Sequence, residues 1–279
     1  MIKACVIGWP ISHSRSPLIH GYWLKQHGID GSYTRIPVEP ENLAGFLGNL
    51  EASGFAGCNV TLPHKEIAFR TVQCADDSTA RLGAVNTVFI RDGAILGTNT
   101  DGEGFLNSLR SGASGLDLGN KRAVILGAGG AAMAVANALL LQGMDEVAVV
   151  NRSIDKAERL RERFGGKIKP VEWQRRADVL KDAALLVNTT SLGMKGQPPL
   201  EIDLARLDPE AVVTDIVYIP LRTQLLVDAA VRGNTVVEGL GMLLHQAVRG
   251  FELWFGVRPT VTHELYGMVA RDIDPEFAA

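Results

Sequence analysis

At about 150 residues per domain, the chain of 279 residues divides into about two domains, long enough to bury substantial cores and too long for a disulfide-stapled module. A hydrophobic share of 46% and a charged share of 21% are ordinary globular values that exclude a disordered tail protein and a membrane protein. The net charge of −3 offers no electrostatic footprint for nucleic acid or anionic lipid.

In chain order, apolar runs of strand length fall at residues 3–8, 32–38, 58–62, 85–90, 94–98, 122–127, 147–151, 185–188, 212–217 and 235–238. Helical periodicity lies between them at 18–27, 41–53, 102–109, 131–142, 155–164, 221–232 and 240–255. The alternation predicts an α/β protein with parallel sheets faced by helices. A polar, glycine-bearing stretch at 111–120 marks the approach to a domain boundary. The start reads as a strand rather than a signal peptide, and the apolar run at 131–141, broken by Asn137, is short of the roughly 18 residues a membrane helix needs. Cys5, Cys58 and Cys74 form neither a C-x-x-C pair nor an even set, which fits a reducing, cytoplasmic compartment. Glycine, at 30 residues without a collagen-like period, implies many tight turns or close backbone approaches.

Polar groups gather at strand ends in the first hundred residues. Ser14-Arg15-Ser16-Pro17 opens a helix, and its hydroxyls suit either a carboxylate near the helix N-terminus or plain capping by Ser16, with Pro17 at the first helical position. Asn59-Val60-Thr61-Leu62-Pro63-His64-Lys65 alternates polar side chains at a strand end and places a lysine just past a proline. Asn86 and the Asn99-Thr100-Asp101 turn add amides and a carboxylate. Together these groups suit a small polyhydroxylated anion, and a lysine with an aspartate can form a proton-transfer pair. His13, His64 and His245 show no metal-ligand spacing, and no metal is expected.

The run 121–126 leads into Gly127-x-Gly129-x-x-Ala132 and then a helix, the strand-turn-helix setting of a dinucleotide-binding loop. Gly127 permits the tight turn, Gly129 the close approach of a pyrophosphate, and Ala132 the packing of helix on strand. The next strand ends at Asn151-Arg152-Ser153, 151 − 127 = 24 residues on, with Lys156 one turn further. An NAD enzyme places a carboxylate there; two cations and no acid at the strand end favour the 2′-phosphate of NADP.

The series Ser14-x-Ser16-Pro17, Asn59-Val-Thr-Leu-Pro-His-Lys65, Gly83-Ala-Val-Asn86-Thr, Asn99-Thr-Asp101, Gly127-Ala-Gly-Gly-Ala, Asn151-Arg-Ser153, Asn188-Thr-Thr-Ser-Leu-Gly193, Asp215-Ile-Val-Tyr-Ile-Pro220 and Gly239-Leu-Gly-Met-Leu-Leu-His-Gln246 resembles the ordered motifs of shikimate dehydrogenases. The resemblance implies Lys65 and Asp101 as the catalytic pair. It implies Ser14, Ser16 and Tyr218 at the substrate carboxylate, and Thr61, Asn86, Asp101 and Gln246 at the ring hydroxyls with Asn59 close by. Gly127, Ala128, Gly129, Gly130, Ala131, Asn151, Arg152, Ser153, Lys156, Thr190, Ile216 and Gly239 match cofactor contacts, and Asp77 matches one more weakly.

The implied reaction is reversible, NADPH-dependent reduction of 3-dehydroshikimate to shikimate in aromatic amino acid biosynthesis. The implied architecture is an α/β substrate domain of residues 1–101 completed by 240–279, with a Rossmann-type NADP domain of 102–239 inserted and the site in the cleft between. The chain is expected to act on a small molecule, as a monomer or homodimer. Ser153 stands where many relatives have threonine, and Trp9 is bulkier than the polar residue expected between Gly8 and Pro10. Alternatives are a quinate or amino-shikimate dehydrogenase, a folate-type methylene dehydrogenase for which an aromatic share of 6% gives little support, or a non-catalytic NADP-binding regulator.

Overall fold

The computed structural model describes residues 1–277. The chain forms two compact units, Met1–Thr100 with Leu244–Val269, and Asp101–Leu243 with the tail from Ala270.

The first unit runs β1 (Ile2–Gly8), α1 (Ser16–Gln26), β2 (Gly31–Pro37), α2 (Leu43–Gly48), β3 (Phe55–Val60), α3 (Lys65–Thr71), β4 (Gln73–Cys74), α4 (Asp77–Leu82), β5 (Thr87–Arg91) and β6 (Ala94–Thr98). Its sheet has the order β2-β1-β3-β5-β6-β4. The core on one face joins Cys5, Ile7, Cys58, Val60 and Val88 of the strands to Leu43, Leu47 and Leu50. Both faces of β1 are buried from Ala4 onward, as for a central strand covered by helices on each side.

Parallel pairing was the expectation, and this sheet is mixed: β1 pairs in parallel with β2 and β3, whereas β5 is antiparallel to both β3 and β6. The reason is local. Asp92 at φ 52° and Gly93 at φ 73° form a two-residue turn with both centres left-handed, the hairpin turn that reverses a chain into its neighbour.

The second unit runs α5 (Asp101–Gly112), β7 (Arg122–Leu126), α6 (Gly130–Leu141), β8 (Glu146–Asn151), α7 (Ile154–Phe164), β9 (Ile168–Glu172), β10 (Leu185–Asn188), β11 (Val212–Asp215), α8 (Gln224–Val231) and β12 (Thr235–Val237). Its sheet is parallel throughout, in the order β9-β8-β7-β10-β11-β12. Numbered from its own first strand this is 3-2-1-4-5-6, the doubly wound dinucleotide-binding order, whose ligand crevice opens at the carboxyl ends of the strands where the order reverses. Val124, Leu126, Ala148, Val150, Leu186 and Val213 build one face of its core.

From α9 (Gly239–Phe255) the chain rejoins the first unit at Leu244 and ends in α10 (His263–Ile273). The later turns of α9 are fixed there by the Trp254 indole, which donates to Val88 O at 2.9 Å. Among the described residues no helix is long and apolar enough to cross a membrane.

Candidate active site

In the first unit, α1 begins at Ser16 itself, with Arg15 at the cap position and Pro17 in the first turn, so Ser16 is not the cap. Ser14 Oγ donates to Ser16 Oγ at 3.2 Å and accepts from the Ser16 amide at 3.3 Å. Arg35 Nε donates to Ser14 O at 2.7 Å and pins the loop. Two hydroxyls therefore stand together at the positive end of an 11-residue helix, where an anion is favoured.

At the end of β3 the buried Asn59 accepts from Tyr33 Oη at 2.6 Å and donates to Asn86 O and Thr87 Oγ1, each at 3.2 Å. Thr87 Oγ1 donates to Asn86 Oδ1 at 2.9 Å, and that oxygen also accepts the Thr100 amide at 2.9 Å. Asn86 Nδ2 donates to Thr100 Oγ1 at 3.1 Å, and Thr100 Oγ1 donates to Gln246 O at 2.9 Å. The structure thus brings Asn59, Asn86 and the Gln246 backbone into one hydrogen-bonded set, buried except at Gln246.

Thr61 and Lys65 are half-buried, and Lys65 is the first residue of α3, with its carbonyl held by the Val85 amide at 2.9 Å. Next to this turn, Trp9 N donates to Leu62 O at 3.1 Å, and both side chains are exposed. Asp77, exposed in the first turn of α4, lies in the first unit, whereas the other residues expected at a cofactor all lie in the second.

In the second unit Asp101 opens α5 as a buried carboxylate in its first turn, a placement the helix dipole favours. Gly127 follows β7 at φ +106°, and a Cβ there would lie 2.7 Å from Thr189 Oγ1, whose hydroxyl donates to Leu126 O at 2.7 Å. A Cβ on Gly129 or Gly130 would meet nothing within 4 Å, so the ground before the N-terminus of α6, between Ala128 and Ala131, is open. β8 ends at Asn151, whose amide donates to Ser153 O at 2.9 Å; the exposed Arg152 follows it, and the exposed Lys156 lies in the first turn of α7 beside Asp155. A turn at Gly127 barred to side chains, an open helix N-terminus and cations following a strand that ends without an acid fit the phosphates of NADP.

Thr190 and Ile216 lie in the loops after β10 and β11. The Asn188 side chain holds the first: its Oδ1 accepts from Thr190 N at 3.0 Å and Thr190 Oγ1 at 2.7 Å. Asp215 holds the second, accepting from Val217 N at 2.9 Å and Thr223 Oγ1 at 2.7 Å. Burial pushes the Asp215 carboxyl up from its ordinary value, opposed by hydrogen bonds from Asn188, Thr223 and the Val217 amide. Tyr218 is half-buried in the same loop. A Cβ on Gly239 would lie 2.5 Å from Val217 O and 2.6 Å from Asp215 O, so only glycine allows that backbone approach.

Sequence reasoning assigned no role to Tyr33, Thr87 and Thr100. The last two adjoin motif residues, but Tyr33 sits mid-strand in β2 and carries no local signal. His13 is exposed; His64 is fully buried, with Nε2 2.7 Å from Val38 O; burial lowers the pKa of the half-buried His245. Among the described residues no group of three His, Cys, Asp or Glu side chains is placed to hold a metal.

Three family models match the chain: the shikimate dehydrogenase substrate binding domain over residues 6–88, the shikimate / quinate 5-dehydrogenase over 110–194, and the shikimate 5'-dehydrogenase C-terminal domain over 239–262. A shikimate dehydrogenase (NADP(+)) of Rhodopseudomonas palustris (strain TIE-1) is 51% identical over 273 residues, 98% of each chain. Among solved structures, shikimate 5-dehydrogenase from Thermus thermophilus, in complex with NADP(H) and shikimate, matches with a TM-score of 0.85 at 36% identity, covering 98% of this chain and 100% of that one. Quinate dehydrogenase from Corynebacterium glutamicum, in complex with NAD, matches with a TM-score of 0.87 at 31% identity over 95% and 97%.

Proposed function

The chain belongs to the shikimate dehydrogenase family, and from that premise we propose that it catalyses the reversible, NADPH-dependent reduction of 3-dehydroshikimate to shikimate, a step of aromatic amino acid biosynthesis. The observation that carries this reading is the 51% identity to an NADP(+) shikimate dehydrogenase across 98% of both chains. The first unit carries most of the substrate groups; the second carries the dinucleotide loop together with Asp101 and Tyr218.

NADPH, when bound, supplies the hydride. The open N-terminus of α6 and the Gly127–Gly130 loop would hold its pyrophosphate and Arg152 and Lys156 its 2′-phosphate, and Thr190, Ile216 and Gly239 would complete its site. Ser14, Ser16 and Tyr218 hold the substrate carboxylate. Thr61, Asn86, Asp101 and Gln246 hold the ring hydroxyls. The Lys65 ammonium stabilises negative charge developing on the C3 oxygen and gives it a proton; Asp101, the other member of the catalytic pair, binds a hydroxyl. Cys5, Cys58 and Cys74 are free thiols, which supports action in the reducing cytoplasm.

The test follows absorbance of the reduced cofactor with shikimate, quinate and amino-shikimate, each with NADP+ and NAD+. Fastest turnover with shikimate and NADP+ supports the reading. Preference for quinate moves the chain to its sister activity, and no turnover with any pair leaves a dinucleotide-binding regulator.

A further inference from the structure

The hydrogen bonds around Asn59 form one chain that ends at the Gln246 backbone, and it starts at a residue with no assigned role. Tyr33 is 7% exposed, and its phenol donates to Asn59 Oδ1 at 2.6 Å. Asn86 O only accepts, so Asn59 Nδ2 faces it and Thr87 Oγ1, donating at 3.2 Å to each, and Oδ1 is left to the phenol. Thr87 spends its own proton on Asn86 Oδ1. The Asn86 amide is thereby held with Nδ2 toward Thr100 Oγ1 and Oδ1 toward the Thr100 amide.

An amide side chain has two flip states that differ only in which atom donates; Asn86 O and the Thr100 amide fix those of Asn59 and Asn86, and the phenol is the proton donor that satisfies Asn59 Oδ1 in that state. The Tyr33 ring has little freedom to move away. It stacks on His20 at 4.0 Å and 15°, with Trp254 at 5.8 Å. His20 is fully buried, and neither ring nitrogen has a hydrogen-bond partner, so its contribution is the flat face of a neutral ring.

We propose that Tyr33 is a positioning residue for substrate binding: its hydroxyl anchors Asn59 and, through Asn59 and Thr87, the Asn86 and Gln246 set, so that the groups for the ring hydroxyls keep one orientation. The inference rests on the assignment of these residues to the substrate under the proposed function. Tyr33 acts through Asn59 and not by contact with the reacting atoms.

The test is Tyr33→Phe, which keeps the stacked ring and removes only the hydroxyl. Shikimate affinity, measured calorimetrically as well as through KM, is expected to weaken about tenfold or more, the scale of a lost buried hydrogen bond that leaves Asn59 Oδ1 unpaired. KM for NADP+ is expected to stay within about twofold and kcat within about threefold, because only ground-state organisation of one ligand is lost. A purely structural role moves the melting temperature and all three constants together, and that result overturns the proposal; so does an unchanged shikimate Kd. Should Tyr33→Phe fail to fold, Thr87→Val breaks the same chain one step on with nearly the same volume and carries the same expectation, and unchanged shikimate affinity in it is equally contrary. Wild-type protein that binds shikimate without oxidising it contradicts the proposed function and leaves the affinity comparison to decide on Tyr33.

Discussion

Asn188 and Asp215 face each other as direct partners in the parallel pairing of β10 with β11, and Asn188 Nδ2 donates to Asp215 Oδ1 at 3.0 Å. Each holds the loop that follows its own strand, so this one bond ties together the loops of Thr190 and Ile216. Replacing Asp215 by Leu leaves the donors of Asn188, Val217 and Thr223 without an acceptor in a buried place, which is expected to cost at least about 3 kcal/mol and to raise KM for NADP+. Urea denaturation and initial rates check both; an unchanged KM in a folded variant removes the loop-holding role.

The same carboxyl has a definite pH signature. Its folded pKa lies above the unfolded value, so the native state keeps the proton longer, and its contribution to stability is present below the unfolded value and lost as pH rises through the folded one. Asp215→Asn, which keeps an acceptor for Val217 N, is expected to remove that pH dependence. Stability curves from pH 3 to 7 that superimpose for wild type and variant contradict it.

His20 predicts the opposite slope. Burial pulls its pKa down to about 3, against a weaker opposing pull from Asn59, so the unfolded chain binds a proton that the native state refuses. The neutral ring's contribution is present above about 6.5 and lost as pH falls toward about 3. His20→Phe keeps a stacked ring beside Tyr33 and is expected to reduce the acid dependence of stability by about one proton in slope. Equal slopes between pH 6 and 4 contradict this.

Arg152 and Lys156 are expected to read the 2′-phosphate. Arg152→Ala is expected to weaken NADP+ by about tenfold or more while NAD+ changes little, the scale of one lost charge-assisted phosphate contact. Calorimetric titration of both cofactors decides, and parallel weakening of the two assigns Arg152 to the fold instead.

Much of this arrangement is legible in the residues, for identifiable reasons. β7, β8, β10 and β11 of the second unit are buried on both faces and read as largely apolar runs, whereas the edge strands β9 and β12 are partly exposed, and Pro170 interrupts β9, where a proline costs little. The hairpin of β5 and β6 is announced by Asp92-Gly93, and α4 by the Asp76 cap, which accepts from Thr79 N, and by Gly83 beyond its end. α3, seven residues long behind a proline, is too short to show a period. The helix expected over 41–53 is a short turn at Pro40–Asn42 followed by the six residues of α2. Strand-end polar residues could be singled out from their spacing, but the role of Tyr33 could not, because its partner Asn59 comes from a distant segment brought beside it only by the β1, β2 and β3 register.

The most direct measurement is the turnover number of Lys65→Ala with shikimate and NADP+, followed through NADPH absorbance beside the wild type. Loss of a positioned proton-transfer group is expected to lower kcat by about 10²-fold or more with KM for shikimate within about threefold. A kcat near the wild-type value contradicts the assignment of the proton to Lys65 and, with it, the mechanism.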